Sequence, residues 1–402
     1  MDRSPNPSRR SRRQHGVSLI ELLIGVAIGL LATLVVTQVA LVYEGQKRTT
    51  ASGSDAQVNG ALALQTLQRE IQASGYGLTS GGITGCAEIR GLRDTAAFKD
   101  VFATGEDGAA GGPAMSGVII SDGTGATASS SGQPDVLRLL SSSKTSFSVP
   151  QRVRNEHLHS DTEFVIDDNA NVGNAVGDLV LAVPPDTAGS WCSLFTISSL
   201  PTVTKTVNGS SVTLLTNRIV HAVGTDWPWN HDTGTIFPGN VATDVSYAAG
   251  SFLVNLGQLT YRRYEISANG VLQMRSYNSA TGAVSDPVEL YPNIVSLQAS
   301  YGRDTDGDRQ IDSWSATSPT TAAQWSQVLA IRLALVARSA QAEKTDIATT
   351  DPALPTTPGW RPDGVTREFI PVDLNGKVSD WKRYRYKVFE TVVPLRNMIW
   401  QS

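Results

Sequence analysis

The sequence is poor in cysteine and in charge, and proline is missing over a long N-terminal stretch. Only two of its 402 residues are cysteine and 17% are charged, whereas 40% are hydrophobic. A chain of this length and composition can bury a sizeable core, which excludes a disordered tail. No proline interrupts the segment from about Ser18 to Ala73, so a long helix can form there.

Signatures of catalysis are also missing. The chain has no Gly-x-Ser-x-Gly elbow, no zinc-protease helix and no Cys-x-x-Cys pair, so nothing argues for an enzyme. His157 and His159 alternate on a possible strand but lack a third ligand nearby, and we interpret them as polar surface residues. The net charge is −4 and the first 16 residues carry +4, so the remainder carries −8. Nucleic acid is therefore not expected as a partner.

One apolar segment dominates the N-terminal region. Residues 17–43 carry a single charge, that of Glu21, and five arginines precede them. The length predicts a transmembrane helix, and the arginines predict a cytoplasmic leader with the rest of the chain outside. A carboxylate inside such a helix costs roughly 2.5–3.5 kcal/mol, so Glu21 is expected to have a function.

The string Gly16-Val17-Ser18-Leu19-Ile20-Glu21 resembles the class III signal of the type IV pilin family. The resemblance implies that a prepilin peptidase cuts between Gly16 and Val17 and methylates the new amino group of Val17. It also implies that Glu21 assists entry into a filament, commonly by pairing with the amine of a neighbouring subunit. The alternative is a plain signal anchor whose Glu21 reaches the cytoplasmic interface.

Helical spacing continues beyond the membrane segment. Apolar residues recur at this spacing from Val58 to Ile71, and Gly75 with Gly77 supplies a stop. The sequence thus predicts a removed leader at 1–16, a transmembrane half-helix at 17–43 and an amphipathic stem at 44–75.

Short apolar alternations after residue 76 predict a β-rich, mainly antiparallel domain, so the fold class is α+β. Leu259–Ile266, a turn at Asn269-Gly270 and Val271–Met274 predict a hairpin, and further strands are expected at 294–301, 327–338 and 382–393. Residues 103–134 are expected to form surface loop. The domain at 76–402 forms either one large lobe or two smaller lobes, at about 76–250 and 251–402.

Cys86 and Cys192 are an even pair in a chain expected to be exported, which predicts one disulfide closing a long loop. The alternative is two buried free thiols. A bridge across roughly 100 residues would contribute about 4–5 kcal/mol.

A run of acids between two predicted strands is the candidate metal site. Their spacing places several hard oxygens around one point, as Ca²⁺ requires, and the carbonyl of the seventh residue can add another. The run differs from an EF-hand in the position of its glycine and in its twelfth residue, Ser315. The alternative is a solvated Asp-Gly turn. The candidate ligands are Asp304, Asp306, Asp308, Gln310 and Asp312.

Three stretches, Leu67–Tyr76 followed by Cys86, Val295–Asp312 and Val393–Asn397, look like the PilW group of minor pilins. This resemblance implies a non-catalytic, low-copy subunit that primes type IV pilus assembly and sits at or near the tip. Its implied partners are minor and major pilins, the prepilin peptidase, the inner membrane and a tip adhesin. It would span the bacterial inner membrane once, with a periplasmic C-terminus, and become extracellular in the pilus.

Two other functions stay open. A minor pseudopilin of a type II secretion system would have the same signal and helix. A tip adhesin would use the large 80–250 region to contact a surface, with the helix as its anchor.

Overall fold

The computed structural model describes most of the chain. The described residues are 18–78, 88–90, 116–121, 133–144, 149–167, 171, 173–185, 191–224, 227, 229–230, 237, 245–278, 283–319, 322–372 and 380–399. The structure divides into two units, Met1–Ser52 and Gly53–Ser402.

Helix α1 is a single helix, Leu19–Ala73, as the missing proline and the apolar spacing predict. In its first unit the apolar side chains are exposed on all sides, and Leu19–Glu44 is long and apolar enough to cross a membrane. In the second unit the helix has one buried face, formed by Ala63, Leu67 and Ile71. Gly75 and Gly77 follow it with φ of 76° and 75°, a left-handed conformation that favours glycine and ends the helix.

Strands form most of the remaining regular structure. Two short helices, α2 (Ala322–Ser326) and α3 (Arg396–Ile399), and a 3₁₀ turn at Trp381–Arg383 accompany them. In chain order the strands are β1 Glu88–Arg90, β2 Val118–Ser121, β3 Val136–Ser142, β4 Gln151–Arg152, β5 His157–Leu158, β6 Glu163–Val165, β7 Leu179–Val183, β8 Trp191–Thr196, β9 Thr202–Val207, β10 Ser210–Leu215, β11 Arg218–Val220, β12 Val245–Tyr247, β13 Phe252–Gly257, β14 Leu259–Ile266, β15 Val271–Asn278, β16 Ala283–Val284, β17 Val288–Pro292, β18 Ile294–Arg303, β19 Ser313–Ser315, β20 Val328–Arg338, β21 Gly359–Trp360, β22 Glu368–Phe369 and β23 Tyr386–Pro394.

Three larger sheets organise the domain. Their strand orders are β1-β8-β7-β13-β4, β16-β15-β14-β3-β2 with β17 also on β15, and β19-β18-β20-β23. Pairing among the described strands is antiparallel except between β1 and β8, which run parallel. The α+β class and the mainly antiparallel pairing are therefore confirmed.

Helix α1 and the sheets share one core. Leu67 and Ile71 of the helix belong to the same buried cluster as Leu140 of β3, Tyr261 of β14 and Leu333 of β20. This cluster takes residues from both sides of position 250, the proposed boundary between two lobes, and the division into lobes stays a prediction.

Two contacts fix the C-terminal half of the helix. Gly60 lies against the ring of Phe389 on β23, where a Cβ atom would come within 2.2 Å of the ring. At the helix end, the amide of Asn397 donates to the carbonyls of Gln72, Ala73 and Ser74 at 3.5, 3.4 and 2.9 Å. These carbonyls have no partner within the helix, so Asn397 acts as a C-terminal cap.

Each expected strand is found, and one further strand lies within a predicted loop. Strands β14, β15, β18 and β20 match the predicted segments to within a few residues, and Gly270 in the predicted turn has a φ of 73°. The strand expected at 382–393 begins only at Tyr386, because Trp381–Arg383 form a 3₁₀ turn. The prediction of loop throughout residues 103–134 is wrong, because Val118–Ser121 form β2 and Val118, Ile119 and Ile120 are buried. Three apolar residues among glycines and serines were too short a signal to separate from loop.

Candidate functional site

The processing and assembly residues lie at the start of helix α1. Gly16 and Val17 are outside the described residues. Glu21 is in the first turn of α1, where an acid is favoured by the helix dipole. It is the only acid in the helix before Glu44, so one charge stands at the edge of an otherwise apolar surface. Glu21 is therefore exposed at the start of the helix, where a cationic group of a partner can reach it.

The acidic loop connects β18 and β19, as predicted. The backbone N–H of Asp304 donates to Gln327 at 2.9 Å, and that of Asp312 donates to Arg303 at 2.9 Å, which ties both loop ends to the sheet. Gly307 and Arg309 have positive φ values of 85° and 69° and bend the loop back on itself. This bend brings the first and last acids together.

Three of the four predicted carboxylates converge. Asp304, Asp306 and Asp312 each have an oxygen within 4.8 Å of the others. Asp308 is outside this group, because its oxygens accept from the backbone and side-chain amides of Gln310 at 2.7 and 2.8 Å. The described residues contain no other group of three His, Cys, Asp or Glu residues with this geometry.

Amide groups of the loop already bind the converging acids. Asp304 accepts from the N–H groups of Gly307 at 2.6 Å and Arg309 at 2.8 Å. The backbone N–H of Thr305, and then its hydroxyl, bond to Asp312 and lower the pKa of this carboxyl. The donor set is all oxygen and fits a hard cation such as Ca²⁺, although these hydrogen bonds also hold the loop by themselves.

Cys192 is fully buried in β8. Its predicted partner Cys86 lies outside the described residues. Strand β1 begins two residues after Cys86 and pairs in parallel with β8, with Ile89 opposite Cys192. The chain next to Cys86 therefore runs beside the strand that carries Cys192.

The interpretation of His157 as a surface residue is wrong. It is 1% exposed, and its Nε2 lies 3.0 Å from Nε2 of His221, which is fully buried. Burial lowers the pKa of His157 to about 4 and that of His221 well below 6.5, where His157 adds a further lowering. Sequence spacing gave no signal for the pair, because 64 residues separate the two. The surrounding rings belong to Phe164, Phe195, Phe237 and Tyr247.

Comparison with known proteins matches both ends of the chain. Residues 11–37 match the prokaryotic N-terminal methylation motif, and residues 263–397 match type IV pilus-assembly protein W. Neither the curated proteins nor the solved structures gave a match.

A methylation motif on an apolar N-terminal helix, followed by a strand-rich antiparallel domain, defines a type IV pilin. Within that class, the match over residues 263–397 supports a PilW-type minor pilin. Such a protein is membrane-anchored, assembles into a pilus with other pilins, and belongs to a structural family.

Proposed function

We propose that this pilin primes type IV pilus assembly and stays at or near the filament tip, without catalytic activity. The observation that carries the proposal is the combination of the prepilin motif at residues 11–37 with the match to an assembly protein at residues 263–397. A subunit that starts a filament needs both a helix that enters it and a domain that contacts the other initiating subunits.

The orientation follows from charge. The five arginines of the leader hold it in the cytoplasm, and the domain after helix α1 lies in the periplasm before assembly. The prepilin peptidase cuts after Gly16, methylates Val17, and leaves Glu21 at mature position five. Glu21 then pairs with the N-terminal amine of a neighbouring pilin as the helix leaves the inner membrane.

Deletion of the gene tests the priming role. We expect few surface pili without the protein and normal numbers after complementation, with gold-labelled protein at filament ends. A type II pseudopilin is the rival, so secretion of a type II substrate is measured in the same strains. Normal piliation combined with lost secretion would overturn the pilus assignment in favour of the rival.

An exposed hairpin favours adhesion as a second candidate function. Strands β9 and β10 are exposed along their whole length, and their register puts Val203, Val207, Val212 and Leu214 on one face. Lys205 and Ser210 lie on the same face, so the hairpin presents an exposed apolar surface with one positive charge, which is typical of a contact surface. If the hairpin is adhesive, Val203→Thr combined with Leu214→Thr should reduce binding of piliated cells to a surface, while pilus number stays normal.

We also propose that the loop from Asp304 to Asp312 binds Ca²⁺. Three converging carboxylates support this, because a cation offsets their mutual repulsion. Binding to the folded form alone raises the melting temperature by mass action. Calcium should therefore stabilise the protein relative to chelator, and Asp306→Ala with Asp312→Ala should remove the difference. If the unmutated protein melts at the same temperature with calcium and with chelator, the loop does not bind calcium and is only a hydrogen-bonded turn.

A further inference from the structure

A buried group of polar side chains lies where the end of β3, the turn before β7 and strand β13 meet. Nζ of Lys144 donates to Oδ2 of Asp178 at 2.5 Å. Nδ2 of Asn255 donates to the same oxygen at 2.9 Å. An amine and a carboxamide from distant parts of the chain are thus held by one carboxylate oxygen.

The surroundings fix these groups and exclude most water. The side chains of Lys144 and Asp178 are 17% and 10% exposed, and Asn255 is 7% exposed. The carbonyl of Gly173 accepts a second bond from Nζ at 2.7 Å. The backbone N–H of Gly257 donates to Oδ1 of Asn255 at 2.7 Å, so the carboxamide carbonyl is already polarised by a fixed donor.

We propose that Lys144 and Asn255 form an intramolecular isopeptide bond, promoted by Asp178. Each part of an acyl transfer is present: an amine nucleophile, a carboxylate in contact with it, and a donor on the electrophile's oxygen. The same carboxylate oxygen touches the nitrogen that attacks and the nitrogen that leaves. An ion pair between Lys144 and Asp178 accounts for only the first of these contacts.

The reaction balances without an oxidant or a cofactor. Asp178 takes a proton from the Lys144 ammonium, and Nζ attacks Cγ of Asn255. The Gly257 N–H stabilises the negative charge that develops on Oδ1. Asp178 returns the proton to Nδ2, the Cγ–Nδ2 bond breaks, and ammonia leaves. Asp178 takes the second proton of Nζ and passes it to the ammonia, so the products are the neutral amide and one ammonium ion. The product amide joins Nζ of Lys144 to Cγ of Asn255 and ties the end of β3 to β13.

Mass spectrometry of the full-length protein in detergent tests the proposal. We expect an intact mass lower by one ammonia molecule than the sequence requires once leader removal, methylation of Val17 and the disulfide are taken into account, and a proteolytic fragment in which the peptides of Lys144 and Asn255 are joined. Fragment sequencing must locate the loss, because succinimide formation at an asparagine also releases ammonia. Quantitative recovery of both peptides as separate, unmodified species would overturn the proposal.

Two variants test the roles. Lys144→Arg keeps the positive charge and removes the nucleophile, and Asp178→Asn keeps the shape and removes the proton acceptor. Each should give the full unmodified mass, whereas Lys205→Arg on the exposed β9 should retain the cross-link. Circular dichroism identifies any variant that fails to fold. A cross-link that forms normally in folded Asp178→Asn would overturn the role of the carboxylate.

Discussion

At the scale of single residues, the buried pair of His157 and His221 determines how the folded protein responds to protonation. One Nε2 must donate and the other accept across 3.0 Å, so the two rings cannot both be protonated, and burial lowers the pKa of each. Burial is the largest cause of the lowered pKa of His157; Asp161 raises this pKa in part, and His159 lowers it further. The remaining groups packed on the pair are phenylalanine rings and Tyr247, whose hydroxyl donates to Ser193 at 2.7 Å. Protonation would therefore place a charge among aromatic rings.

This pair predicts a loss of stability in acid. Unfolded histidine takes up a proton near pH 6.5, whereas folded His157 does so only near pH 4. The contribution of neutral, buried His157 to the free energy of unfolding is complete above pH 6.5. It is lost as the pH falls toward 4 and amounts to about 3 kcal/mol. Melting temperatures between pH 7 and 4 should fall less steeply in the His157→Phe, His221→Phe double variant. His159→Asn serves as the control and should keep most of the original slope, because His159 is the weakest of the influences on the pKa of His157.

The histidine pair also marks a limit of sequence reasoning. Alternation placed His157 and His159 on one face of a strand, but nothing local tells which face meets the core. His221 contacts His157 only after the chain has crossed several strands. The acidic loop was predictable because all its residues lie within nine positions, and local spacing sets their geometry.

At the scale of elements, the absence of a side chain at Gly60 allows helix α1 to pack against Phe389 of β23. Alanine at an exposed helical glycine stabilises a helix by up to about 1 kcal/mol. At Gly60, however, the added Cβ would overlap three atoms of the Phe389 ring, the nearest at 2.2 Å. We expect Gly60→Ala to destabilise the protein by about 1–3 kcal/mol, because the half-buried Phe389 ring must move from its place against the core. Denaturant unfolding measures the change.

Gly53 is the matched control, since it is also in α1 and has no atom within 4 Å of an added Cβ. Gly53→Ala should leave stability equal or higher. Adding Phe389→Leu to Gly60→Ala should make the two substitutions non-additive, since they share one contact. Independent, additive effects would show that Phe389 does not determine the cost.

Helices and strands with long periodic patterns in the sequence were predictable. Short elements whose position depends on pairing with a segment far along the chain were not. Helix α1 has its apolar spacing and glycine stop in the sequence, and β18 and β20 are long apolar runs. Strand β2 has four residues and gains its place by pairing with β3. The bonds of Lys144 and Asn255 to Asp178 likewise depend on how β3 and β13 pack, which no local spacing encodes.

At the scale of the whole molecule, the predicted Cys86–Cys192 disulfide would connect the chain just after helix α1 to the β8 sheet. The parallel pairing of β1 with β8 supports it, because Ile89 lies opposite Cys192. Non-reducing peptide mapping should recover the joined peptides. Reductant and Cys86→Ser should lower stability equally, by up to about 4–5 kcal/mol, and reductant should have no further effect on the variant. Quantitative labelling of both thiols without reductant would contradict the bridge.

Glu21 tests how the whole subunit enters the filament. Glu21→Gln keeps the side-chain size and removes the charge, which makes the apolar segment easier to insert and deprives a neighbouring amine of its partner. We expect normal processing to a chain beginning at Val17 and normal membrane content, but fewer pili and less copurification of other pilins. Glu44→Gln, at the other end of the same apolar segment, is the control and should assemble normally. If both variants give normal pilus numbers and normal copurification, the charge of Glu21 has no part in assembly, and the helix enters the filament through its apolar surface alone.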